Sequence, residues 1–367
     1  MKALFILGTR PEVIKIKMVK ELWREKGYDY NVCYTGQQFL SPDSYVMLDE
    51  NIIESTLIDL SGEYDEHIMK SPCSTIKMSA IMNRIEGSCD IDSYDVIIVQ
   101  GDTLSAYCGA MIGFLHQVPV AHIEAGLRTK DIYNPFPEEG FRRLISRLAT
   151  YHFCPTDKAV KNLAKEGIKS NVINTGNTSI DLIRRTIKVF SERKIERPFV
   201  LVTSHRRESW KHGITNICKA VRKLAESHPT IDFKYILHAN PVVREKVFRA
   251  MKHKPDNIIL SEPLRYNEMV QDLRDCYFIM TDSGGLTEEA SCLGKTSVIL
   301  RKKTERTEII ENGMGFLAGT TPKKITETVE KVIKNNASNS RKINLFGDGD
   351  AYIKIVNFLE EHLCQNI

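Results

Sequence analysis

What most constrains this chain is an alternation that runs through it twice: short apolar runs separated by stretches whose apolar side chains recur at helical spacing. Residues 3–7, 30–34, 96–100, 118–123 and 151–154 read as buried strands, while 12–25 and 104–116 carry the helical period between them. This is the signature of βαβ units and hence of a parallel sheet covered on both faces. The pattern restarts after Thr175-Gly176-Asn177 and the charged stretch 192–196. There, 199–203, 233–237, 258–260, 278–281 and 297–300 predict a second set of strands, with helices over 214–227 and 266–274. A chain of 367 residues is too long for one ordinary core and suits two domains. The expected fold is therefore α/β, two doubly wound domains in series with a cleft between them. A Gly-Asp-Gly-Asp break at 347–350 precedes a last amphipathic helix over 351–363.

Composition removes the competing classes. With 42% hydrophobic and 27% charged residues the chain can bury a real core, so disordered and fibrous architectures drop out. A net charge of +4, with no basic block interleaved with aromatics, gives no reason to expect a nucleic-acid partner. No apolar stretch approaches the roughly 18 residues of a membrane span, and residues 1–8 read as a first β-strand rather than a signal peptide. A cytoplasmic protein is expected. The nine cysteines are scattered, with no Cys-x-x-Cys pair, and read as buried thiols rather than a disulfide framework or a zinc site.

Four clusters carry acid and base beyond what a surface needs: Asp102 in Gln-Gly-Asp-Thr, Glu124 in His-Ile-Glu-Ala-Gly-Leu-Arg, Glu138 in Pro-Glu-Glu, and His205 in His-Arg-Arg-Glu-Ser. Each follows a predicted strand directly or after a short loop, and the carboxyl ends of parallel strands are where open α/β sheets hold ligands. Carboxylates, an imidazole and arginines in one crevice suit proton transfer on an anionic substrate. The competing account is helix capping, or pairing with Arg128, Arg142 and Arg143; Glu139 and Arg143, four apart on a predicted helix, suit such a pair. His238, at the end of another strand, is a weaker candidate for the same work.

Two turns suit phosphate. Gly8-Thr9-Arg10-Pro11-Glu12 joins a strand to a helix start, where free N–H groups and the helix dipole attract an anion and Arg10 and Lys15 add charge. In the second domain, Ser283-Gly284-Gly285 repeats the logic, and Glu289, about one turn further, can accept from two ribose hydroxyls. Neither turn is a P-loop or a Gly-x-Gly-x-x-Gly fingerprint, which disfavours ATP hydrolysis and NAD.

Taken together and in order, these motifs resemble the non-hydrolysing UDP-N-acetylglucosamine 2-epimerases. The match comprises Gly8 to Glu12 with Lys15, Gly101-Asp102-Thr103, 122–129, 135–139, Gly176-Asn177-Thr178 with Asp181, 205–209, Asn240-Pro241, 282–290, Thr304-Glu305-Arg306 and Gly347-Asp348-Gly349. The resemblance implies two Rossmann-like domains in the GT-B arrangement, residues 1–175 and 176–350, with 351–367 returning to the first, the site in the interdomain cleft, and a homodimer. It implies that Arg10, Lys15, Ser283, Gly284, Gly285, Glu289 and Arg306 hold UDP, that Leu264 and Met269 stand where the family puts its uracil wall, and that Asp102, Glu124, Glu138 and His205 surround the sugar. Implied too is a reversible conversion of UDP-N-acetylglucosamine to UDP-N-acetylmannosamine through a 2-acetamidoglucal, with no cofactor or metal, serving capsule or related polysaccharide synthesis. After Thr35-Gly36-Gln37 the chain departs from the family, with Gln38, Phe39 and Leu40 where an activating second site usually has histidine and arginine. Rival readings are a 2-epimerase of another UDP-2-acetamido sugar, a hydrolysing epimerase, a GT-B glycosyltransferase and a nucleotide-sugar sensor.

Overall fold

Strands in which every side chain is apolar cannot face water on either side, so they pair inside a sheet and helices cover both faces. The computed structural model of the chain describes residues 1–37, 57–59, 75–204, 213–238, 240–335 and 344–364. The strands of these residues form two parallel sheets.

The first sheet runs in the order β3 (Leu57–Asp59), β2 (Asp29–Tyr34), β1 (Lys2–Leu7), β4 (Val96–Gln100), β5 (Val120–Ile123), β6 (Tyr151–Cys154), β7 (Val172–Asn174). The strand read over 118–123 begins at Val120, since Pro119 has no N–H to give a ladder. Side chains alternate between two layers, as period-2 geometry demands. Ala3, Phe5, Leu7, Val96 and Ile98 meet Val13, Ile16, Val19 and Trp23 of the helix Arg10–Glu25. Leu4, Ile6, Ile97 and Val99 meet Ile81 and Ile85 of the helix Thr75–Ser88 and Ala106, Cys108 and Ile112 of the helix Leu104–Leu115.

The second sheet repeats the order: β10 (Ile258–Ser261), β9 (Asp232–Ile236), β8 (Phe199–Thr203), β11 (Ile279–Thr281), β12 (Ser297–Ile299), β13 (Gly315–Leu317). Val200, Val202, Met280 and Val298 share a layer with Ile217 and Val221, while Leu201 and Ile279 share the other with Val270, Leu273 and Ala290. In each sheet the strand order reverses beside the first strand, between β1 and β4 and between β8 and β11. These are the topological switch points at which doubly wound sheets take ligands. Among the described residues no helix is long and apolar enough to cross a membrane.

The chain divides into Met1–Leu182 with Phe346–Ile367, and Ile183–Leu345. Residues 176–182 and 346–350, read from the sequence as part of the second domain, thus lie with the first. The reason is local. The Asn177 N–H donates to the Phe346 carbonyl at 2.7 Å, and a Cβ on Gly176 would stand 2.9 Å from that same oxygen, so glycine permits the close crossing. The Asp181 carboxylate accepts from the Ala351 and Tyr352 amides at 3.1 and 2.8 Å and so caps the helix Ala351–Leu363. That helix lays Ile355, Val356, Leu359 and Leu363 on the first layer.

Burial raises the Asp181 carboxyl to about 7, against the pull of the two amides. The native state therefore holds a proton that the unfolded chain releases, and the stabilisation from this group fades as pH rises from its unfolded value toward 7. Asp181→Ala should cost about 1–3 kcal/mol through the orphaned amides. Calorimetry should show a larger loss of Tm near pH 5 than near pH 8; an equal or reversed difference would remove Asp181 from the pH dependence.

Candidate active site

At the first switch, the turns after β1 and β4 interlock. Gly8 leaves β1 where a Cβ would lie 1.9 Å from Ser105 Oγ and 2.6 Å from Thr35 Oγ1, two hydroxyls that bond each other at 2.6 Å. Only glycine fits. Pro11 then enters the first turn of its helix, where no N–H is required of it. The sequence offers the Gly8 turn to an anion, but the Gly8 N–H already donates to Glu12 Oε2 at 3.1 Å, as does Thr9 Oγ1 at 2.7 Å. Glu12 Oε1 accepts from Thr103 Oγ1 at 2.6 Å. The carboxyl is 1% exposed, and desolvation pushes it up to about 7 despite these bonds.

Glu124, the first residue beyond β5, holds φ at 69°, the left-handed region that non-glycine residues rarely occupy. Such strain clusters at functional sites. Its Oε2 accepts from Lys15 Nζ at 2.6 Å and from the Gln100 side-chain amide, and it reaches over Gly101, 3.6 Å from where a Cβ there would be. The sequence reading gives Lys15 and Glu124 separate jobs; the fold joins them in an ion pair whose side chains are 10% and 7% exposed. Breaking such a pair by removing one partner strands a buried charge. Gln100, which reads in the sequence as the end of a strand, is the third member of this group.

Asp102 follows Gly101 and is gripped by Arg142, with Nε and Nη2 at 2.7 and 2.5 Å from Oδ2. The pairing weighed for it against catalysis is therefore present, though its side chain keeps 26% exposure. Arg142 Nη1 also reaches Glu139 at 3.2 Å. Glu139 is fully buried, takes the Thr129 N–H at 3.0 Å and pairs with Arg143 at 3.2 Å, four residues on as expected. Its neighbour Glu138 opens the helix Glu138–Leu148. Arg128 forks onto Glu166 at 2.8 and 2.9 Å rather than onto any of the candidate acids. His122 donates from Nε2 to the Gly101 carbonyl at 2.7 Å, and burial depresses it to about 4, so it serves as a neutral brace at neutral pH.

At the second switch, Thr203 and Thr281 close the paired strands through a hydroxyl bond of 2.6 Å. Thr281 Oγ1 accepts the Ser283 N–H at 3.0 Å, and Ser283 caps the helix Gly284–Cys292. Gly284 and Gly285 form the first turn of that helix, whose amides lack intrahelical acceptors and are the kind of donors that bind anions. Arg306 lies over Gly284, where a Cβ would come within 2.7 Å of its guanidinium. That guanidinium is held by buried Glu288 at 2.8 Å and by Glu305, which Arg301 also reaches at 2.9 Å. Glu289 accepts from the Tyr266 hydroxyl at 3.4 Å. Leu264, Tyr266 and Met269 belong to one apolar cluster with Leu286. His238 Nδ1 accepts the Asn240 N–H at 2.8 Å, a turn-forming role.

His205, Gln38, Phe39 and Leu40 lie outside the described residues. Among the described residues, no group of three or more His, Cys, Asp and Glu side chains is arranged to hold a metal ion.

Comparison with known proteins adds identity to this geometry. The family model described as UDP-N-acetylglucosamine 2-epimerase matches residues 20–360. The UDP-N-acetylglucosamine 2-epimerase of Campylobacter jejuni is 37% identical over 98% of this chain and 97% of its own. Two solved structures are similar across nearly the whole length. That of the Neisseria meningitidis UDP-GlcNAc 2-epimerase bound to UDP-GlcNAc has a TM-score of 0.85 at 32% identity, covering 98% of this chain and 100% of that one. That of the Methanocaldococcus jannaschii enzyme in complex with UDP-GlcNAc and UDP has 0.85 at 28%, with the same coverage. A doubly wound fold in two units, acids gathered at one switch and a glycine helix start at the other, matched along nearly its whole length, makes this chain a member of the UDP-N-acetylglucosamine 2-epimerase family of isomerases.

Proposed function

We propose that this protein interconverts UDP-N-acetylglucosamine and UDP-N-acetylmannosamine by eliminating UDP and adding it back. The observation that supports the reading is that Asp102 and Glu124 follow the carboxyl ends of the paired strands β4 and β5, beside the first switch, in a chain of this family. The C2 hydrogen of the sugar neighbours no carbonyl and is not acidic, so its direct removal is too costly. Expelling UDP from C1 as C2 loses its proton gives a neutral 2-acetamidoglucal. Protonation of C2 on the opposite face, with return of the UDP oxygen to C1, completes the inversion and balances every proton and electron pair. Asp102, Glu124, Glu138 and His205 are the acid and base groups of this scheme, able also to steady positive charge at C1. Arg10 and Lys15 favour the departing pyrophosphate. In the second unit, Ser283, Gly284, Gly285, Arg306 and Glu289 hold the nucleotide, with Leu264 and Met269 against the base.

Incubation with UDP-N-acetylglucosamine in D2O, followed by proton NMR, tests the whole scheme. Deuterium at C2 with UDP-N-acetylmannosamine appearing is the expected result. Free sugar would mean hydrolysis, and an unlabelled, unchanged substrate would end the proposal.

Glu124→Gln keeps an acceptor for Lys15 and so should fold and bind UDP, yet lower kcat by roughly 100- to 10,000-fold. Wild-type turnover in that variant would remove Glu124 from the chemistry.

A Cβ at Gly285 meets no atom of the described residues. Gly285→Ala should therefore leave Tm unchanged or slightly higher, while weakening UDP binding about tenfold, or about 1.4 kcal/mol, by crowding the phosphate. Titration calorimetry giving wild-type affinity would place the nucleotide elsewhere.

A further inference from the structure

Two turns flank the first switch, and one buried carboxyl ties them together. Glu12 takes the Gly8 amide and the Thr9 hydroxyl on one oxygen and the Thr103 hydroxyl on the other. Arg10 follows Thr9 and Asp102 precedes Thr103, so each turn carries a residue with a job in the scheme above. We infer that Glu12 is a positioning residue for the epimerisation, fixing the turn that carries Arg10 against the turn that carries Asp102; the inference rests on that scheme.

Thr103 shows why the tie is specific. Its hydroxyl accepts the Ala106 N–H at 3.0 Å as the cap of the helix Leu104–Leu115, and its single proton goes to Glu12. Asp102 is thus fixed twice: its carboxylate by Arg142, and the backbone just beyond it by Thr103 and Glu12. Loss of the Glu12 carboxyl would release the Gly8 amide, the Thr9 hydroxyl and the Thr103 hydroxyl at once. Asp102 would keep Arg142 but lose its setting relative to Arg10.

The chemistry also says which replacement should work. Desolvation already favours the neutral acid at this site. A glutamine can accept from Gly8 and Thr9 through its oxygen and donate its amide to the second lone pair of Thr103 Oγ1. Alanine can do neither. Glutamine is therefore the conservative variant and alanine the disruptive one.

The test is kcat and KM for UDP-N-acetylglucosamine interconversion in wild type, Glu12→Gln, Glu12→Ala, Thr103→Ser and Thr103→Val, each confirmed folded by circular dichroism at the assay temperature. Glu12→Gln and Thr103→Ser should stay close to wild type. Glu12→Ala and Thr103→Val should lose roughly 10- to 100-fold in kcat with little change in KM, as expected when a reacting group is displaced by about 1 Å. A folded Glu12→Ala with wild-type kcat, a defect confined to KM, or a Glu12→Gln as impaired as the alanine variant would each overturn the inference. Should the wild type leave the nucleotide sugar unchanged, the epimerase scheme itself fails, and amide hydrogen exchange then judges Glu12 alone. Protection of Gly8 and Ala106 lost in Glu12→Ala but kept in Glu12→Gln sustains the tie; equal protection in Glu12→Ala and wild type overturns it.

Discussion

A parallel strand covered on both faces has only its two ends for polar chemistry, and everything distinctive about the first unit follows from that constraint. From Ala3 to Leu7 and from Val96 to Gln100 every position is buried, and so is all of β5. The turns beyond these strands are largely withdrawn from water, where an unpaired donor or charge is costly. Their polar groups must satisfy one another. Glu12 does so with Gly8, Thr9 and Thr103, Glu124 with Lys15 and Gln100, and Asp102 with Arg142. What looks like a collection of catalytic motifs is also the set of bonds that closes the carboxyl edge of the sheet.

The second unit meets the same constraint with a different balance of charge. Its switch carries the hydroxyl pair Thr203 and Thr281 together with buried Asp282, which accepts from Ser204 Oγ at 3.3 Å. Glu288 and Glu305, both fully buried, are held by Arg306 and Arg301. These pairs bring guanidinium to the start of the helix Gly284–Cys292, where the amides of Gly284 and Gly285 add the partial positive charge of a helix end. One unit thus presents acids backed by cations, and the other presents cations backed by acids. That contrast suits the division of labour in the proposed scheme, in which the first unit moves the proton and the second holds the pyrophosphate.

Much of this was legible in the sequence, and what was not has an identifiable cause. The predominantly apolar runs announce β1, β4, β5, β8 and β11, because burial on both faces leaves little room for polar residues. The edge strands Leu57–Asp59, Val172–Asn174 and Gly315–Leu317 are three residues each, too short for any period to show. Of the site, Asp102, Glu124 and Lys15 stand out by residue type and position. That Lys15 meets Glu124, 109 residues away, does not, because the contact exists only once β1 and β5 flank β4 in the sheet. Glu12 and Gln100 were hidden for the same reason. One looked like part of a turn and the other like the end of a strand until Thr103 and Glu124 arrived beside them.

The motifs shared with the family prove to be of two kinds, and only geometry separates them. Gly176, Asn177, Asp181 and Gly347 appear among them on the same footing as Asp102 and Glu124, yet they guide the returning chain and cap its last helix. The difference lies in what their polar groups hold. Both oxygens of Asp181 sit on amides of the helix they cap, and those bonds cannot be given up without unwinding its first turn. Asp102 and Glu124 sit instead on side chains, an arginine and a lysine, and not on the backbone of the helix they adjoin. In the proposed scheme a carboxylate held by side chains alone can act on the sugar. One bonded to its own fold cannot, however acidic its neighbourhood in the sequence.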